Sequence, residues 1–232
     1  MAAHQYPDTP RRHLCHETIY QGLYNPAHGG LNRQLTAKLR TGRPLRTRRR
    51  RPQERTPRCI APALLIDHRP QAAAQRSRVG DWEGDLIVGR AGRSAIGTLV
   101  CRRSRYIALV HLPDGRTSGE VAAAVRARIG DLPASIRLTL TWDQGTEMAG
   151  HDQIADLFAE GVFFAHAGKP WQRPTNENSN GLLRQYFPKG SDLRAYSPAD
   201  LRAVEERINT RPRKVLGWST PAEILAAAIA SK

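Results

Sequence analysis

The chain has 232 residues, enough for one full domain and an appendage, and its 36 Lys or Arg against 21 Asp or Glu give a formal charge of +15. Three scattered cysteines, Cys15, Cys59 and Cys101, exclude a disulfide framework, offer no Cys/His spacing suited to zinc and point to a reducing cytoplasm. No apolar run reaches the length of a membrane span, and no signal-type apolar region follows Met1.

The charge is unevenly spread. Residues 1–80 hold 16 Lys or Arg against 4 Asp or Glu, whereas residues 81–232 hold 20 against 17. A basic arm on a nearly balanced globular unit suits a polyanionic partner, above all nucleic acid, through counterion release. A solvated, solubilising arm is the plainer alternative. HLCHETIYQGLY reads as a short helix, and LNRQLTAKLR as a second with leucines four apart, so residues 1–40 read as a helical remnant of an N-terminal DNA-binding region. Residues 41–74 open as an extended basic linker. Its TGRPLRTRRRRPQERTPR has three prolines and eight arginines, and the run Arg48, Arg49, Arg50 and Arg51 repels itself unless phosphates neutralise it.

A folded domain is expected from about residue 75 to residue 232. DWEGDLIVG, SAIGTLVCR and RYIALVHL read as three strands in quick succession, an antiparallel meander. TSGEVAAAVRARIG follows as a helix, with Thr117 and Glu120 as a capping box and Val121, Ala122, Val125 and Ile129 as its stripe. RLTLTWD is a fourth strand, HDQIADLFAEG a second helix and VFFAHA a fifth strand. Residues 173–187 form a third helix, with Glu177, Asn180, Gly181 and Arg184 on one face and Leu182, Leu183, Tyr186 and Phe187 on the other. Two more helices begin at Ser197-Pro198 and Thr220-Pro221. The order implies an α/β fold: a mixed five-stranded sheet with helices against it.

Three acids sit at ends or edges of these elements: Asp85 within the first strand, Asp143 closing the fourth, Glu177 opening the third helix. If the first and fourth strands are neighbours, the two aspartates come side by side. Phosphodiester chemistry uses two divalent cations about 3.5–4 Å apart, and Mg²⁺ prefers such hard oxygen ligands. Spacing alone leaves Asp81 and Glu83 open as rivals to Asp85, Glu147 as a rival to Asp143, and Glu160 as a rival to Glu177. Each acid read singly is an ordinary surface or capping residue.

WEGDLIVG, LTWDQGTEMAGH and PWQRPTNENSNGLLRQYFPKG resemble the catalytic-core motifs of DDE insertion-sequence transposases of the IS-thirty family, part of the integrase-core group with a ribonuclease-H-like fold. The resemblance covers about residues 75–230. It implies that Asp85, Asp143 and Glu177 are the catalytic, metal-binding triad for two Mg²⁺ or Mn²⁺ ions. It further implies nicking at element ends, then attack of a 3′ hydroxyl on target DNA. Lys169, Trp171, Gln172, Arg173, Asn176, Asn178 and Arg184 become candidates for DNA contact, beside Arg48–Arg51. Implied partners are insertion-sequence ends and target DNA, with a homo-oligomer assembled on DNA at the bacterial nucleoid and no membrane or nucleotide cofactor. Family members begin with a helix-turn-helix region, and this chain is expected to start inside or after it.

No histidine begins the H-x-x-R of a tyrosine recombinase, and no P-loop pattern occurs. The non-enzymatic rival is a truncated DNA-binding remnant that regulates a full-length transposase.

Overall fold

The computed structural model describes residues 16–24 and 61–231, together with Asp8 and Leu35. The chain divides into two compact units, Met1–Pro52 and Gln53–Lys232. In the first, HETIYQGLY forms helix α1 (His16–Tyr24), on which Leu23 is buried. Apart from Leu35, the helix expected after it lies outside the described residues, as do Arg48–Arg51.

The second unit is built on five strands. β1 (Asp81–Val88), β2 (Ala95–Cys101) and β3 (Ile107–Leu112) form the expected meander, each antiparallel to the next. β4 (Thr139–Trp142) pairs parallel to β1, and β5 (Val162–Phe164) pairs parallel to β4. The sheet order is β3-β2-β1-β4-β5, so β2 alone runs against the other four. This is the mixed, helix-flanked sheet expected of a ribonuclease-H-like fold.

Both faces of the sheet are covered, which is why β2 reads AIGTLVC with all seven residues buried rather than alternating. On one face Trp82, Leu99, Val110, Leu140 and Trp142 pack with Val121, Val125 and Ile129 of helix α3 (Ser118–Ile129). On the other, Ile87, Ile96, Val100 and Leu109 pack with Leu183, Phe187, Leu201 and Ile208. Leu183 ends helix α4 (Pro174–Leu183), and Leu201 and Ile208 belong to helix α5 (Pro198–Asn209). Helix α6 (Pro221–Ala230) closes the unit. Capping boxes at Thr117, Ser197 and Thr220 set the starts of α3, α5 and α6; such caps contribute typically about 1 kcal/mol each.

Two elements differ from expectation. HDQIADL (His151–Leu157) is a 3₁₀ run rather than an α-helix: Gly150 supplies no side-chain cap, and the buried pair Ile154 and Leu157 recurs at three residues per turn. The third helix stops at Leu183, short of Tyr186 and Phe187. Gln185 and Tyr186 tighten to Leu182 and Leu183 carbonyls at 3.1 and 2.9 Å, and Pro188 biases Phe187 away from helical backbone.

The structured chain reaches back ahead of β1, through 3₁₀ turns at Pro62–Leu64 and Ile66–His68 to the short helix α2 (Gln71–Gln75). At the opposite edge, β3 presents unpaired backbone, and α5 covers it. Asn209 accepts from Ile107 N at 2.9 Å and donates to Ile107 O at 2.8 Å, and Glu205 accepts from Leu109 N at 2.5 Å. Two side chains thus stand in for a missing neighbouring strand. Among the described residues no helix is long and apolar enough to cross a membrane.

Candidate active site

The parallel pairing of β1 with β4 ends at the rung Glu83↔Thr141. Two residues further along each chain come Asp85, still on β1, and Asp143, just past the end of β4. Their side chains meet through Arg173, which precedes α4: Nη2 lies 3.1 Å from Asp143 Oδ2 and Nη1 lies 3.8 Å from Asp85 Oδ1. Nη1 also donates to the Gly84 carbonyl at 2.6 Å. The Arg173 side chain is only 10% exposed, against 29% for Asp85 and 36% for Asp143, so the cation sits beneath the acids.

Each aspartate is oriented by further donors. Asp85 accepts from Leu86 N at 2.9 Å and from Asn180 Nδ2, on α4, at 2.9 Å. Asp143 Oδ1 accepts from Gly145 N at 3.0 Å, the local turn expected of an aspartate before Gly. Burial pushes the Asp85 carboxyl above its ordinary value; the Arg173 charge opposes this, while Asp143 and then Glu147 push the same way. On the opposite face of the sheet, Gly84 lets the Trp142 ring pack closely on β1, because a Cβ there would fall 1.8 Å from Trp142 Cε3.

The rival acids are accounted for by packing. Glu83 is fully buried, ion-paired to the nearly buried Arg102, and accepts from Asn176 N at 2.8 Å. Asp81 is equally buried and bound to Arg78 and Thr139. Glu160 pairs with Arg78 at 2.5 Å. Glu177 lies exposed in the first turn of α4, where a negative charge is favoured by the helix dipole. Among the described residues no three His, Cys, Asp or Glu side chains form a group that could hold a metal ion. The structure therefore joins Asp85 to Asp143 through a cation and leaves Glu177 outside a three-acid cluster.

The other sequence-derived candidates divide sharply. Lys169, Asn178 and Trp171 are exposed, Trp171 by 61%. Gln172 accepts from His166 N at 2.8 Å. Arg184 donates weakly to the carbonyls of Val88 and Phe187, at 3.3 and 3.4 Å. Asn176 is fully buried, its Oδ1 accepting from Thr98 Oγ1 at 3.0 Å. Arg173 points inward to the acids. Asn180 was not singled out as a site residue from the sequence; its signal was its place three residues after Glu177 on the same helix face.

No protein-family model matches the chain. It is 43% identical over 226 residues to the transposase for insertion sequence element IS1086 of Cupriavidus metallidurans, covering 97% of this chain and 66% of that protein. The transposase InsI for IS30A of Escherichia coli is 40% identical over 216 residues, 92% of this chain and 56% of that protein. The chain belongs to the IS30-type transposase family. It thus spans under two thirds of the length of these relatives. The catalytic core domain of BIV integrase superposes with a TM-score of 0.49 at 16% identity, covering 66% of this chain and 98% of that one.

Proposed function

We propose that this IS30-type chain is a DDE transposase that nicks and joins DNA at the ends of an insertion sequence, with Asp85, Asp143 and Glu177 as its catalytic acids. One observation carries the reading: two aspartates from neighbouring parallel strands converge at the open end of β4, over a buried arginine that offsets only one of their two charges. Ligand sites in open α/β sheets sit at such strand ends. The donor set fits a hard divalent cation such as Mg²⁺ or Mn²⁺, since it offers carboxylate oxygens and the paired acids already require a positive charge between them. Two bound ions would supply Lewis acidity at the scissile phosphodiester.

The remaining work falls to the chain itself. Asn180 and Gly145 N fix the orientation of the two aspartates, and Arg173 keeps them partly compensated before substrate arrives. The exposed Lys169 and Trp171, just ahead of α4, and Asn178, on the helix itself, would meet DNA, whereas Arg173 and Asn176 act from inside. The same proposal takes element ends and target DNA as substrates, a homo-oligomer on DNA as the working form and the bacterial cytoplasm as the location.

The test is a Mg²⁺-dependent nicking and strand-transfer assay on element-end oligonucleotides. Wild type should give joined products, Asp85→Asn and Asp143→Asn none, and Glu83→Gln should retain joining in proportion to the folded fraction. Salt-sensitive DNA binding with no nicking in wild type would favour a regulatory remnant instead. Nicking without joined products would indicate a nuclease.

A further inference from the structure

Helix α4 carries the acid-facing Asn180 on one flank, and its other flank lines a cavity of about 260 Å³ whose arginines the catalytic reading leaves unused. Thr175, Asn178 and Ser179 form one wall of this cavity, and Arg76, Arg105 and Arg213 come in from three separate segments. No acidic residue lines it. Among the described residues no ion pair involves any of the three arginines. Arg105 Nη1 donates to Thr175 Oγ1 at 2.9 Å, and Arg213 Nη2 to the Ile208 carbonyl at 3.3 Å, while Arg213 Nε is buried without a hydrogen-bond partner. Burial first, then the neighbouring Arg76 charge, holds the Arg105 guanidinium below its ordinary value; burial and Arg211 do the same to Arg213.

Two part-buried guanidiniums, Arg105 and Arg213, share the pocket with a third at Arg76 and with no acid in its lining, an arrangement that costs free energy and that an anion relieves. Guanidinium forks match phosphate oxygens in pairs, and the hydroxyls and amide of α4 add neutral donors. The cavity is several times the roughly 30 Å³ that one water occupies in the liquid, so a phosphate group fits with bridging water. We propose that the Arg76–Arg105–Arg213 pocket is a phosphate subsite that seats a backbone phosphate of the DNA, separate from the reacting one. This rests on the DNA-processing reading above. A helix about 10–12 Å across separates the pocket from the paired aspartates, roughly three nucleotide steps along a strand. A phosphate seated there fixes the register of the strand against Asp85 and Asp143 while contributing nothing to bond breakage.

The experiment uses the full chain and the pair Arg76→Gln/Arg213→Gln, with Arg76→Lys/Arg213→Lys as the charge-retaining control. Thermal unfolding is followed in inorganic phosphate against chloride at matched ionic strength, and duplex DNA binding is followed against salt. Expected is a phosphate-specific rise in unfolding temperature in wild type that the glutamine pair loses. Its slope of log affinity against log salt should also fall by about 0.9, the value of one phosphate contact. Should the glutamine pair not fold, the lysine pair decides, since it keeps the charge but loses the fork and should bind phosphate several-fold more weakly. No phosphate-specific rise in wild type, or an equal rise in the variants, overturns the subsite. A lost rise with an unchanged salt slope overturns its assignment to DNA in favour of free phosphate. A wild-type chain that responds to phosphate yet binds no duplex at all removes the DNA-processing reading and leaves only an anion pocket.

Discussion

Glu83 and Asp85 stand two residues apart on the same face of β1, and replacing Arg102 by Met tests whether Glu83 is the structural acid of the two. Glu83 is fully buried and Arg102 is 4% exposed. Arg102 also donates from Nε to the Ala73 carbonyl at 2.8 Å and from Nη2 to the Ala74 carbonyl at 3.3 Å, so one guanidinium ties α2 to β1. Glu83 in turn accepts from Asn176 N at 2.8 Å, which ties β1 to the first turn of α4. Arg102→Met strands a carboxylate in the core, a loss of about 3–5 kcal/mol, against a typical total stability of about 5–15 kcal/mol. For a unit of this size that is a fall in Tm of about 6–20 °C. Glu83→Gln/Arg102→Met removes both charges and leaves chiefly the Ala73 carbonyl unserved, at about 1–3 kcal/mol. Urea unfolding at neutral pH measures both variants. An Arg102→Met loss within about 1 kcal/mol of wild type, or a double variant no more stable than the single, would refute the assignment of Glu83 as a buried structural partner.

Three further outcomes follow from the packing. Gly84→Ala places a Cβ 1.8 Å from Trp142 Cε3; the ring must move away from β1, at roughly 1–3 kcal/mol, with a shift in tryptophan emission and reduced joining because Asp143 is the next residue. Asn209→Ala uncovers both backbone groups of Ile107 on the edge strand; it should lose roughly 1–3 kcal/mol in urea unfolding and add a concentration-dependent species in size-exclusion chromatography. Glu120 is held below its ordinary value by the Thr117 hydroxyl and then the Thr117 N–H. A depressed carboxyl stabilises the fold above the ordinary carboxylate range and loses that contribution as pH falls through its folded value. Glu120→Gln should therefore melt below wild type at neutral pH, and the gap should close as a thermal-unfolding series descends below the ordinary carboxylate range.

Legibility in the sequence tracked how local each cause is. Caps are local, so Thr117, Ser197 and Thr220 announced the starts of α3, α5 and α6 as observed. Strand identity is nearly local, because β-branched runs between glycines have few other uses. The 3₁₀ run at His151–Leu157 was not legible, since its apolar spacing also fits an α-helix and the lack of a cap at Gly150 is a weak negative signal. The role of Arg173 was out of reach: a basic residue before a helix reads as a solvent-facing DNA contact, and only the fold turns it inward onto Asp85 and Asp143. The choice between Glu83 and Asp85 shows the boundary most clearly. Both are acids on the same face of β1, but pairing with β4 stops at the Glu83↔Thr141 rung. Glu83 therefore lies inside the sheet, where a buried arginine must neutralise it. Asp85 lies past the last rung, part-exposed beside Arg173, where the proposed cation and substrate would enter. Strand register, which single-residue patterns do not encode, assigns Glu83 to stability and leaves Asp85 for the chemistry proposed above.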